Sequence, residues 1–186
     1  MYQTSPRILP VSPDTLTVRQ KELLGEWSSM NFASVMVTHP EMYKALVPLI
    51  AKVISGSNLP SRDREILVLR TLVLCDEVYE LQHHASIARH AGMTDSEIEQ
   101  AKTGRGAGLS PFDRLLVRAA EELVRDQCIS DETWRDLAQR YSPIELMEVV
   151  SLVGVYTLMA MLTKSCGIQL EDPDTFRNFT KIRQYT

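Results

Sequence analysis

The run Glu77-Val78-Tyr79-Glu80-Leu81-Gln82-His83-His84 places two carboxylates and an imidazole at i, i+3 and i+7 (Glu77, Glu80 and His84). On one helix, at roughly 100° per residue, the three fall within about 60° of each other around the axis. Leu81, Ile87, Ala88 and Ala91 share that side, whereas Gln82, Ser86, Arg89 and His90 lie opposite. The ionisable face is therefore expected to turn inward, where such groups are paired or put to use. Carboxylates beside an imidazole can hold and pass protons, so acid/base chemistry is the expectation. The bland alternative is that Glu80 and His84, at i, i+4, merely stabilise their helix by about 0.2–0.5 kcal/mol. His83 points away with Tyr79, toward a packing boundary or a subunit contact.

Helix starts recur along the chain, and almost nothing reads as a strand. Ser12-Pro13-Asp14 opens a helix to about Trp27, with Pro at the first helical position. His39-Pro40-Glu41 opens a second, which stops near Gly56 and carries Pro48 inside it as a kink signal. A third starts at Ser61, and the helix with the acid/base run follows from about Asp76 to Gly92. Thr94-Asp95-Ser96-Glu97 is a capping box for a short helix that ends before Gly104. Ser110-Pro111 opens a helix to about Arg125, and another short one follows Ser130. Ser142-Pro143-Ile144-Glu145 opens a long apolar helix that stops at Gly167. Connections are short and rich in Gly, Pro and Ser, as between packed helices. The spacing predicts an all-α, single-domain bundle of about seven to eight helices over residues 1–186, with an N-terminal arm (about 1–12) and a C-terminal tail (about 172–186).

At 186 residues the chain suits one domain with a sizeable core, and its 44% hydrophobic content argues against disorder. A net charge of −4 without a Lys/Arg stripe argues against nucleic acid as a partner. The N-terminus lacks the layout of a signal peptide. Cys75, Cys128 and Cys166 are few and widely spaced, which fits free thiols in a reducing compartment and points to the cytoplasm. The uncharged stretch 149–163 is shorter than the roughly 20 residues of a membrane span, so no membrane partner is expected. It fits a central helix or one buried between subunits.

Leu59-Pro60-Ser61-Arg62-Asp63-Arg64-Glu65-Ile66-Leu67-Val68-Leu69-Arg70, then Tyr79-Glu80 and His84, then Ala91-Gly92-Met93-Thr94-Asp95-Ser96-Glu97-Ile98, resembles the carboxymuconolactone decarboxylase family, which includes the alkyl hydroperoxidase D-like proteins. The stretch Ile144-Glu145-Leu146-Met147-Glu148-Val149-Val150-Ser151-Leu152-Val153-Gly154-Val155-Tyr156 is similar to that family's later helix. The resemblance implies an all-helical fold assembling into homo-oligomers, commonly trimers or hexamers. It also implies that Glu65 stands where the peroxidase branch carries its upstream Glu, and that Glu77 and Glu80 stand where that branch carries Cys-x-x-Cys.

Carboxylates cannot perform thiol–disulfide exchange, so the family's dithiol route is not expected here. What remains is an acid/base frame of Glu65, Glu77, Glu80 and His84. It suits decarboxylation, isomerisation or proton abstraction next to a carbonyl, on a small organic acid or lactone and without a cofactor. The aromatic-breakdown setting follows from the resemblance. Glu65 could instead pair with Arg62, Arg64 or Arg70. An anionic substrate would need a cation, for which Arg62, Arg70 and Arg89 are the candidates. A di-iron site is not expected, because no Glu-x-x-His motif is present. The Met-rich run at 158–161 reads as core rather than as a metal ligand set. The alternatives are a peroxidase-related (peroxiredoxin-type) member of that family, or a non-catalytic helical oligomer that kept the frame and binds a ligand or partner through it.

Overall fold

The computed structural model describes residues 5–172, so the expected tail beyond Asp172 lies outside the described residues. Among the described residues the regular elements are α-helices and short 3-10 turns: α1 (Val18–Leu24), α2 (Asn31–Met36), α3 (Pro40–Ile54), α4 (Ser61–Leu74), α5 (Tyr79–His90), α6 (Asp95–Thr103), α7 (Pro111–Asp126), α8 (Asp131–Leu137) and α9 (Pro143–Cys166). The all-α expectation holds, and most boundaries follow the capping chemistry. Thr94 with Glu97 and Ser110 with Asp113 form reciprocal capping boxes, and Ser130 caps α8.

The first expected helix is the main difference. Ser12 and Pro13 start only a 3-10 turn at Pro13–Thr15. The working cap is Thr17, which exchanges hydrogen bonds with Gln20 at the start of α1. Gly25, at φ +49, ends α1, and a 3-10 turn leads to α2. The second difference concerns the site. The chain does not re-enter a helix at Asp76; that residue takes φ +52, and α5 begins at Tyr79.

The described residues form two compact units, one from 5–52 with 161–172 and the other Val53–Ala160. In the first, the arm is tied down where Arg7 and Ile8 donate their N–H groups to the Cys166 carbonyl and Val11 donates to Ser34. Leu24, Phe32, Val35, Tyr43 and Ile50 are buried there. At Gly167 the backbone turns left-handed at φ +68, and a Cβ would stand 2.5 Å from the Ser5 carbonyl oxygen, so only glycine fits.

The second unit carries the acid/base residues. Its centre is α4, which is buried nearly all round at Ile66, Leu67, Val68, Leu69 and Leu72 and packs on α5, α6 and α7. A helix buried on most of its sides belongs in the middle of a bundle. Polar ties fix its rotation: Arg62 forks onto Asp113 at 2.6 and 3.1 Å and reaches Glu97 at 2.8 Å, while the Tyr141 hydroxyl donates to Asp63 at 2.7 Å. At 24 residues α9 extends beyond the uncharged stretch 149–163 at both ends and is long and apolar enough to cross a membrane on length and composition alone. Its Leu146, Val149, Leu152, Val153, Tyr156 and Met159 are nevertheless buried in protein, as in the core helix of a helical domain.

Candidate active site

Three helices of the second unit converge on one buried polar cluster. From α4 comes Glu65, from α5 come Glu80 and His84, and from α9 comes Tyr156; all four are at most 4% exposed. His84 Nδ1 lies 2.7 Å from Glu65 Oε2. On the other side of the ring, Nε2 lies 2.7 Å from the Tyr156 hydroxyl. The two rings stand edge to face at 90°, with centroids 4.9 Å apart. With Glu65 as a carboxylate, Nδ1 carries the proton it donates, and neutral His84 accepts the Tyr156 O–H at Nε2. Glu80 Oε2 stands 4.0 Å from Nε2, too far for a hydrogen bond but close enough to place a second carboxylate beside the ring.

This geometry brings Glu65, Glu80 and His84 together as expected and reassigns their parts. The ring is held by residues from the two neighbouring helices rather than by its i, i+4 partner. Glu77 has a different place. It precedes α5, and its two oxygens accept the N–H groups of Tyr79 at 3.0 Å and Glu80 at 2.7 Å. A carboxylate on the free N–H groups of a helix start is a cap, favoured also by the helix dipole. The helical bearing assigned to Glu77 fails because it lies outside the helix. The buried stripe of α5 is also rotated from the expected one. It runs through Tyr79, Glu80, His83, His84 and Ala88, while Leu81 is only half buried. His83 is therefore inside, its ring 5.1 Å from that of Tyr79, and not on an outward face.

Among the cations, Arg62 is committed to Asp113 and Glu97, Arg70 to Glu121 and the Lys102 carbonyl, and Arg89 to Asp95. The guanidinium at the site is that of Arg64, whose Nε lies 3.8 Å from Glu65 Oε1. The electrostatic frame around α4 is strong. The Thr94 backbone N–H and hydroxyl, then Arg62, hold the Glu97 carboxyl down at about 2. Burial pushes Asp113 up, but Arg62 and Ser110 outweigh it and keep the carboxyl below its ordinary value.

Tyr156 escaped the sequence reasoning as a site residue. It is the one aromatic residue in the uncharged stretch 149–163, and that singularity was the available signal. Cys75, Cys128 and Cys166 are all free thiols, and the cluster is built without them. Among the described residues no three His, Cys, Asp or Glu side chains are grouped as a metal ion would require.

No curated protein matches the sequence. Residues 40–111 match the profile of the Carboxymuconolactone decarboxylase family. Among solved structures, the fold is similar to that of an uncharacterised peroxidase-related protein from Ralstonia eutropha JMP134, described as an alkylhydroperoxidase AhpD core. The TM-score is 0.79 at 13% identity, covering 94% of this chain and 96% of that one. A peroxidase-related protein from Silicibacter sp. TM1040 gives 0.76 at 16% identity, with 94% and 96% covered. The debrominase Bmp8 gives 0.74 at 12% identity, with 96% and 98% covered. The motifs around Glu65 and His84 and the profile matched over residues 40–111 resemble the carboxymuconolactone decarboxylase family, and the helical fold is similar to that of the AhpD-like proteins.

Proposed function

We propose that the protein is a cofactor-independent acid/base enzyme of the decarboxylase type, acting on a small organic acid or lactone of the kind formed in aromatic breakdown. The observation that carries this is the buried Glu65–His84 pair at 2.7 Å, with a second carboxylate, Glu80, at 4.0 Å from the same ring. An imidazole is the side chain whose ordinary pKa lies closest to neutrality, so it can both give and take a proton there. In such a decarboxylation the C–C bond electrons pass into a carbonyl, CO2 leaves, and the resulting enolate takes a proton at carbon. Glu65 fixes the ring through Nδ1 and balances the positive charge when His84 holds two protons. The setting is taken to be cytoplasmic, and the working form a homo-oligomer.

The dithiol peroxidase route has no support from the cluster, which presents carboxylates where that chemistry needs thiols. A second reading is favoured by burial. Glu65, His84 and Tyr156 satisfy one another inside the unit, and such a network can serve only to lock three helices in register. A panel of β-keto acids and carboxylated lactones, assayed for CO2 release and ring opening, separates the two. Turnover well above the uncatalysed rate supports the enzyme, and inertness toward the whole panel removes the decarboxylase assignment.

A further inference from the structure

Both nitrogens of the His84 ring are engaged within the protein, Nδ1 with Glu65 and Nε2 with Tyr156, each at 2.7 Å. A ring held at both nitrogens cannot reach a substrate without giving up one of these bonds. A phenol is different. Its oxygen has one proton and two lone pairs, so it can bond His84 and a reacting atom together. Given the acid/base function proposed above, we infer that Tyr156 is the catalytic residue that carries the proton to and from the reacting carbon, with His84 and Glu65 acting behind it.

The step balances as follows. In the delivering state His84 holds two protons, donating Nδ1–H to the Glu65 carboxylate and Nε2–H to the Tyr156 oxygen. The phenolic O–H is then directed at the enolate carbon left by loss of CO2. That carbon uses its electron pair to form a C–H bond, the O–H bond breaks, and the Nε2 proton passes to the phenol oxygen. Tyr156 ends as a phenol, His84 as the neutral ring protonated at Nδ1, and Glu65 is a carboxylate throughout. A solvent proton returns to His84 before the next cycle. The relay matters because a phenol alone, with an ordinary pKa of about 10, is a weak acid at neutral pH, whereas an imidazolium near 6.5 is not. Glu80 Oε2 stands 4.0 Å from Nε2, on the same side of the ring as the Tyr156 hydroxyl. The two rings pack edge to face with the hydroxyl 2.7 Å from Nε2.

Tyr156→Phe removes one oxygen and keeps the ring packing, and oxaloacetate with a carboxylated butenolide serve as probes. The expected result is a fall in kcat of about 10²–10⁴-fold, a KM within a few-fold, and a kcat–pH profile that loses its dependence on the relay. A structural tyrosine would instead lower the melting temperature and leave kcat per folded molecule intact. Full kcat in folded Tyr156→Phe, alongside active wild type, overturns the inference and leaves the acid/base function standing. If wild type is inert to both probes, the decarboxylase function fails, and 3-fluorotyrosine at position 156 decides the inference by ¹⁹F NMR. A saturable shift of that resonance with oxaloacetate keeps Tyr156 as the substrate-facing group, and an unmoved resonance overturns it.

Discussion

Glu65 and Glu77 are both buried carboxylates close to α5, yet their bonding assigns them opposite work. Glu65 meets an imidazole nitrogen and Glu77 meets two backbone N–H groups. Glu65→Gln keeps an acceptor for Nδ1–H but removes the charge that balances a doubly protonated ring. Its turnover should fall by about 10²-fold or more, with little change in folding. Glu77→Ala should do the reverse, costing about 0.5–2 kcal/mol in urea unfolding, the range for a lost helix cap, while activity per folded molecule is kept. Replacing Cys75, Cys128 and Cys166 together with Ser should change turnover by less than about tenfold, or about 1.4 kcal/mol of barrier. Abolished turnover in the folded triple variant would restore thiol chemistry. That Glu80 and His84 meet was legible from residue type and spacing, and that Glu65 joins them from the family resemblance. The role of Glu77 was not, because it depends on where a helix begins, and no sequence signal marked the left-handed turn at Asp76.

At the scale of elements, boundaries were readable where a side chain closes a capping box, as at Thr94 and Ser110. They were misread where Ser12-Pro13 offered the same residues without the reciprocal bond that Thr17 and Gln20 make. The long-range partner on α9 was hidden for another reason. Periodicity shows which face of a helix is buried, but not which residue on a distant helix it meets, so Tyr156 could not be matched to His84. The frame that sets α4 is itself testable by acid. Glu97 is held at about 2 against an ordinary 4.5 by Thr94 first and Arg62 after it. Its depressed value favours the folded state fully above pH 4.5, and that contribution disappears as pH falls toward 2. Glu97→Gln should therefore flatten the acid-unfolding curve across this window and lower stability by a constant amount above it. An unchanged acid limb would show that the Arg62 cluster does not couple to folding.

For the whole molecule, assembly and catalysis are the open properties. Ile144, Met147, Ser151, Gly154 and Leu158 follow one another along α9 at alternating three- and four-residue steps, and all are exposed. That is the spacing of a helix seam, and at Gly154 a Cβ would meet nothing within 4 Å, leaving room for another backbone. Met147→Asp with Leu158→Asp should convert a homo-oligomer into the 21.1 kDa monomer in the ultracentrifuge. A wild-type protein that sediments only as monomer at micromolar concentration would refute the assembly. His84→Gln separates a cluster that moves protons from one that merely joins helices. The glutamine amide can still donate toward Glu65 and accept from Tyr156, but it cannot carry a proton at neutral pH. Turnover of the β-keto acid and lactone panel should fall by about 10²–10⁴-fold, with unfolding free energy within about 1 kcal/mol of wild type. Full turnover in His84→Gln would contradict proton transfer and leave the cluster as structure alone.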